Sequence, residues 1–222
     1  MRTYRWDLGT RLVPYREAWA HQRRVHAGVV AGQGEELVLV EHESVYTAGR
    51  RTASWDRPGG DLEVVDVDRG GRITWHGPGQ LVVYPIVRLR EPVDVIAYVR
   101  ALEQAVIDAL EQQWGIRATR VEGRSGVWLP GARGEQDRKL AAVGVRVAKG
   151  VTMHGVALNA CPDLGSFSAI VPCGISDAGV TSISELTGAH VSVSACADVL
   201  ELHLRDRLAP LRSQPRLPHP IG

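Results

Sequence analysis

Lysine is almost missing from this 222-residue chain: of 26 basic residues only Lys139 and Lys149 are lysine, and the rest are arginine. Asparagine occurs once, at Asn159, and methionine twice. Cysteine is sparse as well. Cys161, Cys173 and Cys196 are odd in number, widely spaced and contain no C-x-x-C pair, which argues against a disulfide framework or a zinc site and for a reducing compartment. Long apolar runs are also lacking. No segment approaches the ~20 apolar residues that span a bilayer, and Arg2, Arg5, Asp7, Arg11, Arg16 and Glu17 interrupt the first twenty positions, so no signal peptide is expected. A net charge of +1 supplies no global field for nucleic acid or an anionic membrane, although it leaves room for a local arginine patch. The expectation is a cytoplasmic protein with neither a membrane nor a nucleic acid as partner.

The elements that are present point to one α+β domain over residues 1–212, with a proline-rich tail over 213–222. Residues 12–30 carry Tyr15, Trp19, Val25 and Val29 at helical spacing, and residues 94–114 repeat apolar positions up to Gly115. A last helix is expected to start at Ser192 or Ser194. Strands are expected near 37–41, 62–67, 81–89, 117–121 and 126–129. Two Val- and Ala-rich runs, 139–148 and 151–159, flank Lys149-Gly150 as a hairpin. Residues 46–51 read as a loop.

Three segments carry chemistry. Residues 69–80, R-G-G-R-I-T-W-H-G-P-G-Q, form a glycine-rich stretch whose backbone lets a ligand approach closely, though Gly-Pro-Gly is foremost a turn. It is neither a Walker loop nor a dinucleotide fingerprint, so no nucleotide cofactor is expected. Residues 171–175, V-P-C-G-I, hold Cys173 between Pro172 and Gly174, a turn that projects a thiol into a cleft. A small buried hydrophobe is the commoner fate of a free cysteine, and Cys161 and Cys196 fit that fate better. Lys139 opens a strand whose alternate positions are apolar. Such a lysine is more often a strand-end residue reaching solvent, but in an arginine-dominated chain it is a basic side chain able to give up its proton. His76 and His154 are further candidates, each as readily structural as catalytic.

Taken in order, R-G-G-R-I-T-W-H-G-P-G-Q, E-G-R-S-G-V-W, K-L-A-A-V-G-V-R-V, H-G-V-A-L-N and I-V-P-C-G-I-S resemble the lipoyl(octanoyl) transferase family, the octanoyl-acyl carrier protein:protein octanoyltransferases. The resemblance spans residues 46–186. It implies a mixed, largely antiparallel sheet packed by helices, like the catalytic domain of biotin- and lipoate-protein ligases. It implies an acyltransferase that takes octanoate from octanoyl-acyl carrier protein. The acceptors would be lipoyl domains of 2-oxoacid dehydrogenase complexes and the glycine cleavage H protein. By motif match Cys173 is the acyl-thioester nucleophile and Lys139 its proton partner, with no cofactor and no metal. The acyl-binding walls would be Arg69, Gly70, Gly71, Arg72, Ile73, Thr74, Trp75 and His76, then Ala142, Val143 and Gly144, then Gly155, Val156 and Ala157. The loop 131–138 before Lys139 carries no motif that decides its conformation.

An unperturbed thiol, with a pKa near ~8.5, is only a few per cent thiolate at neutral pH, and a neighbouring ammonium raises that fraction. Main-chain N–H groups around Gly144 and Cys173–Gly174 would hold the oxyanion. The rival readings are an ATP-dependent lipoate- or biotin-protein ligase, a non-catalytic lipoyl-domain-binding module and a simple thioesterase.

Overall fold

A computed structural model describes residues 1–59, 62–132, 135–170 and 178–213. Cys173 with its V-P-C-G-I segment, and nearly all of the proline-rich tail, lie outside the described residues.

The main sheet is built from β1 (Arg2–Trp6), β2 (Glu36–Val40), β6 (Gln80–Ile86), β7 (Thr119–Val121), β8 (Arg124–Leu129), β9 (Arg138–Ala148), β10 (Val151–Asn159) and β11 (Gly179–Val180). Their order across the sheet is β1-β2-β6-β10-β9-β8-β7, with β11 beside β9. Only β1–β2 and β9–β11 pair in parallel, so the sheet is mixed and largely antiparallel. A smaller sheet, β3 (Val45–Ala48), β4 (Val64–Asp66) and β5 (Ile73–His76), runs in the order β4-β3-β5.

The central strands read as continuous apolar runs because helices cover both faces. Leu37, Leu39, Leu81 and Val83 point into a core shared with α2 (Val95–Trp114) and α4 (Val193–Leu208). Their neighbours Val38, Val40, Val82 and Tyr84 point the other way, toward Ala18 and Val29 of α1 (Tyr15–Val30). Both covering helices of the first face are punctuated as their sequences demand. The Asp94 carboxylate accepts from the Ala97 N–H at 2.9 Å, and Gly115 closes α2 in the left-handed conformation. Ser192 caps α4 by accepting from Ala195 N–H at 3.2 Å. Buried Cys196 lies on the apolar face of α4, as its spacing implied.

The hairpin expected between 139–148 and 151–159 forms with Val151 opposite Ala148, and both turn residues, Lys149 and Gly150, have positive φ. Other expectations need correction. The presumed loop at 46–51 contains β3, and the glycine-rich stretch 69–80 contains β5. Each strand is only four residues long and flanked by glycine, so its period is too short to stand out. The strand β1 and the short helix α3 (Ile183–Thr187) were also not foreseen. On α1 the buried stripe is Tyr15, Ala18, Gln22 and Val29 rather than one through Trp19 and Val25. A glutamine takes the inward position because its Oε1 accepts the His154 N–H at 2.9 Å.

Candidate active site

The site grows from the contact between the small sheet and the middle of β9 and β10. Gly144 and Gly155 face each other across that pair. A Cβ on Gly155 would lie 2.2 Å from the Val83 carbonyl oxygen, and one on Gly144 would lie 3.0 Å from Arg69 Cδ and 3.2 Å from the Gly70 oxygen. Gly144 therefore lets the turn at Arg69–Gly71 sit directly on the sheet, where Gly70 N–H donates to Val145 O at 2.9 Å, and Gly155 lets β6 close against β10.

Arg69 holds this turn together. Its buried guanidinium donates to the carbonyls of Gly70 (3.0 Å), Arg72 (2.8 Å) and Thr47 (2.8 Å) and to Thr47 Oγ1 (2.8 Å). Just before it, Asp68 ties the small sheet to the large one. It accepts from His154 Nε2 at 2.8 Å and pairs with Arg146. The hydrogen bond from His154 is the main reason that the Asp68 carboxyl is held down at about 2, and the Arg146 charge adds to it. His154 itself is pushed below the ordinary histidine value by burial, so at neutral pH a neutral imidazole donates to a carboxylate. His154 also has φ +58 although it is not glycine, a conformation that costs of order 1 kcal/mol.

The H-G-P-G-Q segment is knitted internally. His76 Nδ1 donates to Gln80 Oε1 at 2.8 Å across the Gly77-Pro78-Gly79 turn, and Gln80 Nε2 donates to Asn159 Oδ1 at 2.9 Å. Asn159 Nδ2 in turn donates to the Thr181 carbonyl at 2.9 Å. The chain's single asparagine is thus a buried crosslink. Burial, helped by nearby His42, pulls the His76 pKa down to about 3, and its ring stacks on Tyr15 at 5.9 Å and 6°. Burial likewise lowers His42 to about 4; its Nδ1 donates to Val13 O at 2.9 Å, and its Nε2 accepts from the Tyr84 hydroxyl at 2.8 Å. Both rings are neutral at physiological pH.

These parts enclose a cleft of about 280 Å³. Of the residues anticipated from sequence, Arg69, Gly71, Arg72, Ile73, Thr74, His76, Ala142, Val143, Gly144, Gly155, Val156 and Ala157 line it, together with Lys139. Gly70 and Trp75 do not. Gly70 is spent on its bond to Val145, and Trp75 packs away from the cleft, where its ring meets Phe167 and its Nε1 donates to Ser44. Lys139 is buried at 6% exposure, with its ammonium 4.4 Å from the centroid of the Trp128 ring. It does not reach solvent at a strand end.

The sequence reading missed Tyr15, Arg51, Val82, Tyr84 and the Gly123–Arg124–Ser125 turn on the lining. The turn lies in the E-G-R-S-G-V-W motif and was findable there; Arg51 gave no signal. Among the described residues no group of three metal-ligating side chains exists, and no helix is long and apolar enough to cross a membrane.

Residues 14–205 match the lipoyl protein ligase A/B catalytic domain. The octanoyltransferase of Salinispora tropica is 55% identical over 197 residues, covering 88% of this chain and 92% of that protein. That of Thermobifida fusca is 55% identical over 206 residues, covering 90% and 86%. Among solved structures, lipoate-protein ligase A bound with ATP superposes with a TM-score of 0.71 at 17% identity, covering 94% of this chain and 86% of the other. A bi-partite lipoate protein ligase from Thermoplasma acidophilum gives 0.67 at 15% identity, covering 93% and 83%. At such identities the two ligases speak for the fold alone.

Proposed function

The chain belongs to the lipoyl protein ligase A/B catalytic-domain family and is an enzyme that transfers octanoyl groups in protein lipoylation; we propose that the group passes from octanoyl-acyl carrier protein, through a thioester on Cys173, to the acceptor lysine of a lipoyl domain. The acceptors are the lipoyl domains of 2-oxoacid dehydrogenase complexes and the glycine cleavage H protein. A reducing cytoplasm keeps the thiol free.

The observation that carries the reading is the position of Lys139. The cleft walls expected to hold the acyl chain enclose one buried lysine among arginines, and a lysine, unlike an arginine, can give up its proton. In the first half-reaction the Cys173 thiolate attacks the donor thioester, the new C–S bond forms and the donor's C–S bond breaks. The departing phosphopantetheine thiolate takes a proton from Lys139. In the second, the acceptor amine attacks the Cys173 thioester, gives a proton to Lys139 and releases the thiolate. Exchange of one thioester for another is nearly isoenergetic and conversion to an amide is downhill, so no nucleotide is needed.

The ATP-dependent ligases share the fold, so the fold does not choose between the two chemistries. The 55% identity to octanoyltransferases, against 17% to the ligase, favours transfer. Intact-mass measurement after incubation with octanoyl-acyl carrier protein tests the pathway. One octanoyl adduct is expected on the enzyme, lost in Cys173→Ser and discharged by a lipoyl domain. A thioester adduct persisting in Cys173→Ser, or an absolute requirement for ATP, overturns it.

A further inference from the structure

The net charge of +1 conceals a segregation. Arg51, Arg69, Arg72, Arg124 and Lys139 all line the cleft, and among the described residues no Asp or Glu does. Most of these cations are engaged by the fold. Arg69 is wired to main-chain carbonyls, Arg72 lies 3.1 Å from Asp56, and Lys139 and Arg124 approach the Trp128 ring. Arg51 differs. It is exposed at the cleft, and its side chain makes no ion pair with any described residue. Its backbone is nevertheless fixed, since Arg51 N–H donates to Gly71 O and Arg50 N–H to Arg69 O, both at 3.0 Å. A fixed backbone thus presents at the cleft a guanidinium with no ion pair to any described residue, beside a lining with no described carboxylate.

An octanoyl chain and a lipoyl lysine give such a field nothing anionic to hold. The donor does. A phosphopantetheine arm carries a phosphodiester that is ionised at every physiological pH, and it must enter from the solvent side for its thioester to reach the cleft. Arginine matches phosphate oxygens with two parallel N–H donors, and a cleft lined by one sign of charge strengthens the attraction.

We propose that Arg51 is a donor-specificity residue that binds the phosphodiester of the phosphopantetheine arm carrying the octanoyl thioester. This rests on the octanoyl-carrier reading above. The site selects donors by their phosphate rather than by their acyl chain alone.

The test compares octanoyl-phosphopantetheine with octanoyl-pantetheine, identical except for the phosphate, using the full chain and a lipoyl-domain acceptor. The wild type prefers the phosphorylated donor in kcat/KM. In Arg51→Met that preference falls by about tenfold or more, the worth of one charge-assisted hydrogen bond, and Arg51→Lys restores part of it. Arg117→Met, an exposed arginine outside the lining, keeps the preference. An unchanged ratio in Arg51→Met overturns the proposal. Binding of phosphopantetheine and of pantetheine, measured calorimetrically, gives a readout independent of turnover: equal affinity in the wild type also overturns it. Failure of the wild type to transfer octanoate from any donor sinks the octanoyl-carrier reading instead, and leaves a phosphate preference in binding still measurable.

Discussion

Replacing Gly155 with alanine perturbs the point on which the cleft is built. The added Cβ would sit 2.2 Å from the Val83 carbonyl oxygen and 2.8 Å from Pro85 Cδ. Even a favourable carbon–oxygen contact is about 3.3–3.6 Å, so β6 and β10 must separate locally by about 1 Å. Both partners are main chain or a proline ring in the centre of the sheet, and neither can swing aside. Overpacking of a core costs about 1–3 kcal/mol, and each weakened ladder hydrogen bond next to Val156–Val83 costs about 1 kcal/mol more. The expected loss is about 3 kcal/mol. Urea unfolding followed by tryptophan fluorescence should show an unchanged slope and a midpoint lowered by about 1–2 M, given a slope of about 2 kcal/mol/M. Gly34→Ala is the matched control, since nothing lies within 4 Å of its Cβ position and its φ is not positive. If Gly155→Ala unfolds at the same urea concentration as Gly34→Ala, the argument from close approach is wrong.

Other consequences are as direct. Asp68 is held near 2, below the ordinary 3.8, chiefly by its hydrogen bond from His154, so it stabilises the fold above about pH 4 and loses that contribution as pH falls toward 2. Asp68→Asn should therefore cost about 1 kcal/mol at pH 7, after discounting for a partly solvated side chain. The gap to wild type should close in urea titrations at progressively lower pH, and a gap that widens on acidification contradicts the assignment. Lys139→Arg keeps the charge but not the exchangeable proton, so kcat for octanoyl transfer should drop by about 10²-fold or more; near-normal turnover removes Lys139 as proton carrier. Lys149 has φ +53 at the hairpin turn, where asparagine is better tolerated, so Lys149→Asn should raise the melting temperature by a few degrees, and a lower one refutes the strain.

How legible the fold was depended on length and period. The helix over 95–114 showed itself because apolar positions at Val95, Ile96, Val99, Leu102, Val106, Ile107 and Leu110 repeat over about four turns and a glycine stops it. The hairpin of β9 and β10 was equally plain. By contrast β3 and β5 are four residues each, and their pairing with one another joins positions far apart in the chain, from Val45–His76 to Ala48–Ile73. No local pattern reports such a partner. At the site, Lys139 stood out by scarcity, yet its burial did not. A lysine opening an apolar strand looks solvent-bound until the Trp128 ring is found opposite it in register. Arg51 was invisible for a different reason: in a chain where nearly every basic residue is arginine, only its place on the cleft distinguishes it.

The specificity of the motifs follows from how they are used. In H-G-P-G-Q the histidine and glutamine bond each other, and the glutamine bonds the one asparagine; in R-G-G the arginine bonds the carbonyls of its own turn; in H-G-V-A the histidine bonds Asp68 and the glycine makes room for Val83. These residues answer mainly to one another. Altering one member leaves a buried donor or acceptor unmatched, which costs about 1–3 kcal/mol, so the segments constrain each other as a set. Such a set specifies the shape of the cleft, a property that a ligase and a transferase on this fold can share. What separates the two chemistries has to come from side chains outside that mutual network, and Lys139 on the wall and Arg51 at the cleft are the groups on which acyl transfer from a phosphate-bearing donor should depend.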